Sequence, residues 1–183
     1  MNKTFITKDM VITALLIALG IIIPTAFTFL RVILPPAFTA TLTAHVPIFI
    51  SMFISPVSAI FTAIGTTLGF LLTGLDPVVT ARAGSHIIFA VVGAYMVQKN
   101  LSITLVGIVT TLLHALCEAL VVLLFLSMGW TKGAESSIFQ MAFYVTGVGT
   151  LVHHIIDYII AIILVKALSK MKMLKKTPAL IYI

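Results

Sequence analysis

Residues 42–75 read LTAHVPIFISMFISPVSAIFTAIGTTLGFLLTGL and contain no charged side chain. A single helix of this length would measure about 51 Å, whereas the hydrocarbon core of a bilayer is about 30 Å thick. Because the residue before a proline is disfavoured in helical geometry, Ser55-Pro56 is predicted to divide the stretch into two helices. Both arms are short, so we expect them to tilt, to thin the bilayer locally or to form a re-entrant hairpin.

The composition of the whole chain indicates an integral membrane protein. Of its 183 residues, 61% are hydrophobic and only 9% are charged, and the mean hydropathy is +1.24. Several uncharged apolar runs exceed the roughly 18 residues that indicate a transmembrane helix. The alternating polarity of barrel strands is absent. We therefore predict an all-α integral membrane protein with a single domain over residues 1–183.

Six transmembrane helices are predicted, with both termini in the cytoplasm. The predicted helices cover about residues 10–30, 41–54, 57–74, 84–97, 101–127 and 140–168. With this topology, eight of the eleven basic residues lie on the cytoplasmic side, as the positive-inside rule requires. The outer loops, at about residues 27–40, 75–84 and 128–139, are longer than the cytoplasmic turns, which is typical of the face that binds ligand.

The net charge of +6 is compatible with nucleic acid binding, but the position of the charges favours another partner. Five of the eleven basic residues lie between Lys166 and Lys176, directly after an apolar segment. A cluster at this position is typical of the cytoplasmic flank of a membrane helix, where it contacts anionic lipid. We expect membrane lipid, and no nucleic acid, as its partner.

Two pairs of ionisable residues interrupt the apolar segments of the C-terminal half. His114 and Glu118 are four residues apart, as are His153 and Asp157, so each pair lies on one face of a helix. A charge at the bilayer centre costs roughly 3 kcal/mol, so these groups should face a protein interior or a water-filled cavity. They either pin two neighbouring helices together by hydrogen bonds or line a ligand cavity, and their clustering favours the cavity.

A second polar group lies where the fourth helix is predicted to begin. Arg82 is followed by Ser85 and His86, which fall in the first turn of a helix predicted from residue 84. Free backbone N–H groups and the helix dipole favour an anion there, and Arg82 adds a bidentate donor. In the alternative interpretation, Arg82 pairs with Asp76 or a lipid phosphate, and Ser85 caps the helix.

Other polar and aromatic residues are assigned lesser roles. Trp130 and Tyr144 are either aromatic residues of the membrane interface or rings that stack on a planar ligand. His154 lies about 100° around the helix from His153 and is expected to pack or to face the lipid interface. His45, as a lone histidine in its segment, is expected to be structural.

Familiar catalytic and metal-binding motifs are absent from the sequence. It has no Walker motif, Gly-rich nucleotide loop, His-Glu-x-x-His signature or nucleophile elbow. The single cysteine, Cys117, excludes an internal disulfide and a cysteine-based metal cluster. We therefore expect no catalytic residue, no cofactor and no bound metal. Small residues four apart, Ala14 with Ala18 and Gly65 with Gly69, predict close helix contacts.

With six predicted helices in 183 residues, long outer loops and the Ala14-x-x-x-Ala18 pair, the chain resembles the S components of energy-coupling factor (ECF) vitamin transporters. S components are substrate-binding subunits of the bacterial cell membrane. The resemblance implies that Ala14 and Ala18 contact the transmembrane coupling subunit and that two ATP-binding subunits supply the energy. It also implies a substrate site on the outer side, among the first loop and helices four to six.

The resemblance also implies which residues contact the substrate. They are Arg82, Ser85, His86, His114, Glu118 and His153. We also expect substrate contacts from Asp157, which is paired with His153, and from Tyr144, whose ring can stack on a planar ligand. Within the family, residues 78–82 leading into Ser85-His86, together with His153-His154, look most like members assigned to niacin. Nickel and cobalt members carry a metal-binding histidine at the extreme N-terminus, a pattern from which Met1-Asn2 departs.

The expected function is the capture of a small water-soluble vitamin, for which a planar anion such as nicotinate is the best match. Nicotinate offers a carboxylate for Arg82, a ring nitrogen for a histidine and a flat face for an aromatic side chain. One alternative is a divalent-metal permease or a metal-dependent intramembrane hydrolase that uses the His114/Glu118 and His153/Asp157 pairs. A membrane scaffold without a ligand is the other.

Overall fold

The structure, a computed structural model, describes residues 7–34, 38–130, 137–171 and 174. Its α-helices are α1 (Thr7–Ala26), α2 (Val46–Met52), α3 (Pro56–Leu72), α4 (Pro77–Gln98), α5 (Ile103–Ser127) and α6 (Gly149–Lys170). A 3-10 turn at Thr28–Leu30 leads into strands β1 (Arg31–Leu34) and β2 (Phe38–Thr41), and a π-helix at Gln140–Val148 leads into α6. Met1-Asn2 and the basic residues Lys172, Lys175 and Lys176 lie outside the described residues.

The apolar stretch of residues 42–75 folds into two helices. Ser55 is extended, with φ −170° and ψ 161°, and its side chain accepts a hydrogen bond from the Ser58 amide at 3.0 Å. The predicted break at Ser55-Pro56 is therefore confirmed. The first arm, α2, has seven residues and measures about 10 Å, so it is too short to cross a bilayer by itself. All seven residues are buried, and α2 packs against α1, α3, α4 and α6.

The fourth helix begins earlier than predicted. Asp76 caps α4 by accepting a hydrogen bond from the second amide after it at 2.8 Å, and Pro77 occupies the first helical position. Because this pair starts a helix efficiently, α4 extends from Pro77 rather than from residue 84. Arg82, Ser85 and His86 therefore lie in its second and third turns, beyond the free backbone N–H groups. The prediction that they surround the first turn of the helix is wrong.

The first outer loop, predicted over residues 27–40, contains an antiparallel hairpin. Arg31 of β1 pairs with Thr41 of β2, and Leu34 pairs with Phe38. Most of β1 is exposed, whereas Phe38 and Thr41 are buried. Strand β2 therefore faces the helices and β1 faces away from them.

The long helices carry the two faces that a bilayer requires. Within the described residues, α1, α4, α5 and the continuous stretch Gln140–Lys170 are long and apolar enough to cross a membrane, and α3 is apolar but shorter. On α5, exposed leucines recur at four-residue spacing at Leu112, Leu116, Leu120 and Leu124. His114 and Glu118 lie on the opposite face and are buried. The apolar face of α5 thus suits lipid contact, and its polar face lies inside the protein.

Candidate functional site

A cavity of about 160 Å³ lies between the hairpin and the helices. Its wall combines β2, the turn before α2, and parts of α3, α4, α5 and α6. The polar side chains that line it include Arg31, His45, Arg82, His86, Glu118 and His153. Four of the predicted substrate contacts, Arg82, His86, Glu118 and His153, thus border one cavity although they come from three helices.

Glu118 of α5 is the centre of the polar network beside this cavity. Its Oε2 accepts hydrogen bonds from Arg82 Nη2 at 2.7 Å and from the Thr150 hydroxyl at 2.5 Å. Its Oε1 lies 3.0 Å from His86 Nε2 and 3.3 Å from His114 Nε2. All of these side chains are buried, so the network supplies the partners that a carboxylate needs away from water.

Among the described residues, only one of the three guanidinium nitrogen atoms of Arg82 donates hydrogen bonds. Its Nη2 donates to Glu118 and to the Thr39 carbonyl oxygen, the latter at 3.2 Å, and its guanidinium lies 5.3 Å from the centre of the Phe38 ring. Arg82 Nε and Nη1 are buried and have no hydrogen-bond partner among the described residues. Because guanidinium N–H groups donate strong hydrogen bonds to carboxylates, these unpartnered groups of Arg82 can donate to an anionic ligand.

Asp157 of α6 organises the turn before α2. Its carboxylate accepts hydrogen bonds from the amides of Thr43 at 2.7 Å and His45 at 3.0 Å. The same carboxylate lies 3.3 Å from His45 Nδ1 and 3.5 Å from His153 Nε2. Thr43 has a φ of 70°, a left-handed conformation that is uncommon for threonine, and the carboxylate helps to hold it. Asp157 does not line the cavity but orients two imidazoles that do.

All five histidines of the chain gather in one group. The ring of His45 lies 4.6 Å from those of His86 and His114 and 4.7 Å from that of His153, measured between centroids. His154, which was expected to pack or to face lipid, is fully buried, and its Nδ1 lies 2.8 Å from Nδ1 of His114. The burial of His154 agrees with the packing role expected for it, and the structure adds that His45 and His154 lie within the histidine group. One signal was available for His45, because it is the only ionisable side chain in the stretch 42–75.

Two predicted contacts lie away from the cavity. Tyr144 is on the π-helix with 66% of its surface exposed, as an aromatic residue of the membrane interface would be. Ser85 donates to the Arg82 carbonyl oxygen at 2.7 Å within α4 and does not line the cavity. Ala14 and Ala18 are both exposed on one face of α1.

Comparison with known proteins identifies one relative and no structural match. No protein-family model and no solved structure matches the chain. The chain is 35% identical over 170 residues to the niacin transporter NiaX of Lactococcus lactis subsp. cremoris (strain MG1363), a match that covers 89% of this chain and 75% of that protein. This relative does not favour a metal permease or a hydrolase. The chain therefore belongs to the same family as NiaX, the S components that bind the substrate in ECF importers for vitamins.

Proposed function

We propose that this S component captures niacin from outside a bacterial cell and delivers it for uptake driven by partner ATPases. The observation that carries the proposal is the pair of unpartnered N–H donors of Arg82 beside a cavity of about 160 Å³. Nicotinate is a planar anion, and its carboxylate can accept charge-assisted hydrogen bonds from these N–H groups.

The size of the cavity supports a solute with one ring. An engineered protein cavity of about 150 Å³ holds a benzene molecule, so about 160 Å³ suits a single six-membered ring with a small substituent. A vitamin with two or three fused rings would need a larger space. The relative NiaX is named a niacin transporter, and niacin has a single pyridine ring.

The remaining contacts follow from the lining of the cavity. With the carboxylate at Arg82, the pyridine nitrogen would meet an imidazole of His86 or His153, since a neutral imidazole can donate one hydrogen bond. Glu118 holds Arg82 in place, and Asp157 holds His45 and His153. His114 does not line the cavity, but its Nε2 lies 3.3 Å from Oε1 of Glu118 and supports that side chain.

The proposed topology has six membrane helices and cytoplasmic termini. Asp76 and Arg82, near the start of α4, border the cavity, whereas Lys99 follows the other end of that helix. Placing Lys99, Lys166 and the C-terminal lysines in the cytoplasm puts the cavity on the outer side. Helix α2 would be inserted as a short buried element, which together with α3 returns the chain to the outer side.

The proposed partners are a transmembrane coupling subunit and two ATP-binding subunits. Ala14 and Ala18 lie on an exposed face of α1, and small residues at this spacing allow a second helix to approach closely. The sequence contains no nucleotide-binding motif, so energy would come from the ATP-binding subunits. We assign the chain no catalytic residue and no nucleic acid partner.

The test is equilibrium binding of radiolabelled nicotinate to the purified chain in detergent. We expect saturable binding of one nicotinate per chain, competition by unlabelled nicotinate, and no competition by riboflavin or thiamine. Replacing the exposed Trp130 with Ala provides a control that should bind as the wild type does. Absence of saturable nicotinate binding, or displacement by a larger vitamin, would contradict the proposal.

A further inference from the structure

We propose that the floor of the cavity binds one divalent transition-metal ion of the zinc type through His45, His86, His114 and Glu118. The metal site itself depends on the geometry and charge of these side chains and does not require that the solute be niacin. Only its effect on nicotinate, given below, rests on the proposed function. The sequence predicted no bound metal, since no metal motif runs along the chain, but these four ligands come from three separate segments of the fold.

The distances fit a metal with small side-chain adjustments. One potential ligand atom from each of the four residues lies within 4.8 Å of all the others. Glu118 Oε1 is 3.0 Å from His86 Nε2 and 3.3 Å from His114 Nε2. Ligand atoms about 2.0–2.1 Å from a tetrahedral zinc ion lie roughly 3.3 Å from one another. Glu118 Oε1 therefore already lies at nearly the required distance from a nitrogen atom of each of two histidines.

The three imidazoles surround a common point instead of stacking. The ring centroids of His45, His86 and His114 are 4.6, 4.6 and 4.7 Å apart. The angles between their planes are 72°, 71° and 86°. One ligand atom of each ring also lies within 4.8 Å of those of the other two, so the rings can share one ion.

The hydrogen bonds of His114 leave one of its ring nitrogen atoms free for a metal. His114 Nε2 is buried and has no hydrogen-bond partner among the described residues. The other ring nitrogen of His114 lies 2.8 Å from His154 Nδ1, and His154 Nε2 lies 3.1 Å from the Thr110 hydroxyl. Histidines that bind metals are commonly oriented in this way by a hydrogen bond to their second nitrogen.

The charge of the buried network favours a cation. With neutral imidazoles, the two buried carboxylates Glu118 and Asp157 outnumber the one buried guanidinium of Arg82. Arg31 also lines the cavity but is only partly buried, so within the buried network an excess negative charge remains, which is unfavourable inside a membrane protein. A divalent ion would reverse the excess and attract the carboxylate of nicotinate. Three imidazoles and one carboxylate suit zinc and its transition-metal neighbours better than magnesium or calcium.

The test uses the full chain purified in detergent, stripped with a chelator, and titrated with Zn²⁺ or Co²⁺ alone. We expect one ion per chain, the visible absorption of tetrahedral Co²⁺, and a rise in the thermal unfolding temperature with Zn²⁺. Loss of a residue that only orients a metal ligand weakens metal binding by roughly 10- to 100-fold. The double variant His86→Ala/His114→Ala removes two ligands, so its affinity for Zn²⁺ should fall by more than that. Cys117→Ser, which changes the neighbour of Glu118 but none of the four ligands, should bind Zn²⁺ as the wild type does.

A second variant distinguishes the loss of metal binding from the loss of folding. His114→Gln keeps the volume and polarity of the side chain, so it should melt close to the stripped wild type and yet gain no thermal stability from Zn²⁺. Equal Zn²⁺ affinity in the wild type and in a folded His114→Gln variant would overturn the metal site. Failure of the wild type to bind one equivalent of Zn²⁺ or Co²⁺ would do the same.

Nicotinate binding to stripped and to Zn²⁺-loaded protein separates this proposal from the proposed function. We expect tighter nicotinate binding when Zn²⁺ is present. If stripped protein binds nicotinate and takes up no metal, the metal site is overturned and the niacin function stands. If the protein binds Zn²⁺ at the four ligands but never binds nicotinate, the niacin function fails and the metal site stands.

Discussion

The ion pair of Arg82 and Glu118 is the residue-scale feature on which the cavity depends. Nη2 of Arg82 donates to Oε2 of Glu118 at 2.7 Å, and both side chains are buried. Removing one partner of a buried pair leaves the other charge uncompensated, at a cost of about 3–5 kcal/mol. The pair therefore keeps the guanidinium in position at the cavity, and its loss should affect both stability and binding.

We expect Arg82→Ala to weaken nicotinate binding by about 10- to 150-fold. A hydrogen bond to a charged group contributes roughly 1.5–3 kcal/mol, which corresponds to that range of dissociation constants. Arg82→Lys should recover only part of the loss, since lysine lacks the planar fork. Isothermal titration calorimetry measures the difference, with Tyr144→Ala as the exposed control.

A neutral analogue tests whether Arg82 binds the carboxylate of nicotinate. Nicotinamide lacks the carboxylate, so it should bind wild type and Arg82→Ala with similar affinity. If Arg82→Ala binds nicotinate as tightly as the wild type does, the anion is held by another residue of the cavity, such as His153.

Asp157→Ala should destabilise the protein. The substitution leaves the amides of Thr43 and His45 without an acceptor, and an unsatisfied buried polar group costs about 1–3 kcal/mol. It also releases His45 and His153 from their shared carboxylate. Thermal unfolding in detergent should show a lower midpoint, and nicotinate binding should weaken. An unchanged midpoint would mean that the turn before α2 is held by other contacts.

At the scale of elements, α1 and α3 approach closely through glycine. A Cβ atom added at Gly65 would lie within 3.0 Å of Ile17 side-chain atoms, and one added at Gly69 would collide with Ile21. The close helix contact predicted from the Gly65-x-x-x-Gly69 spacing is therefore confirmed, and it lies within the bundle. Glycine serves here because α1 occupies the space that any side chain would need.

Substituting these glycines tests the contact. Gly65→Ala and Gly69→Ala should each destabilise the protein by about 1–3 kcal/mol, the usual cost of overpacking a close contact. Gly84→Ala is the matched control in α4, because its added Cβ would meet only a Thr67 methyl at 3.6 Å. Alanine there should be neutral or stabilising, since it favours helix by about 1 kcal/mol over glycine. Equal shifts of the melting temperature at all three positions would show that helix propensity, and not packing, determines the effect of alanine on stability.

At the scale of the whole molecule, the cavity and the exposed alanines of α1 lie apart. Pro24, near the end of α1, lines the cavity together with residues of the hairpin and the other helices, whereas Ala14 and Ala18 lie earlier on α1 and are exposed. Nothing in the described contacts connects these two alanines to the cavity residues. A change on this face should therefore leave solute binding intact while it blocks assembly with the coupling subunit.

We expect Ala14→Phe/Ala18→Phe to abolish nicotinate uptake in cells and to leave binding by the purified protein unchanged. Bulky side chains would prevent the close helix approach that small residues allow. Ile108→Phe, on an exposed face of α5, is the control and should retain uptake. Uptake by proteoliposomes that contain this chain alone would contradict the need for partners.

The sequence by itself determined the features that depend on neighbouring residues. Apolar composition predicted a helical membrane protein, the proline rule predicted the break at Ser55, and the glycine spacing predicted a close helix contact. The Asp76-Pro77 start of α4 was equally local, but the polar residues after it were interpreted as a loop. The family followed from the whole chain, because its relative is similar over most of its length.

Only the tertiary structure decided how the site is assembled. His45 looks isolated along the chain, and it joins the other histidines because α2 packs against helices that are distant in sequence. His154, on another face of its helix than His153, meets His114 because α5 packs against α6. The pairing of Arg82 with Glu118, 36 residues away, and of Thr43 with Asp157, 114 residues away, arises in the same way. Helical periodicity specifies which face of a segment is polar, but the packing of several segments specifies which polar faces meet.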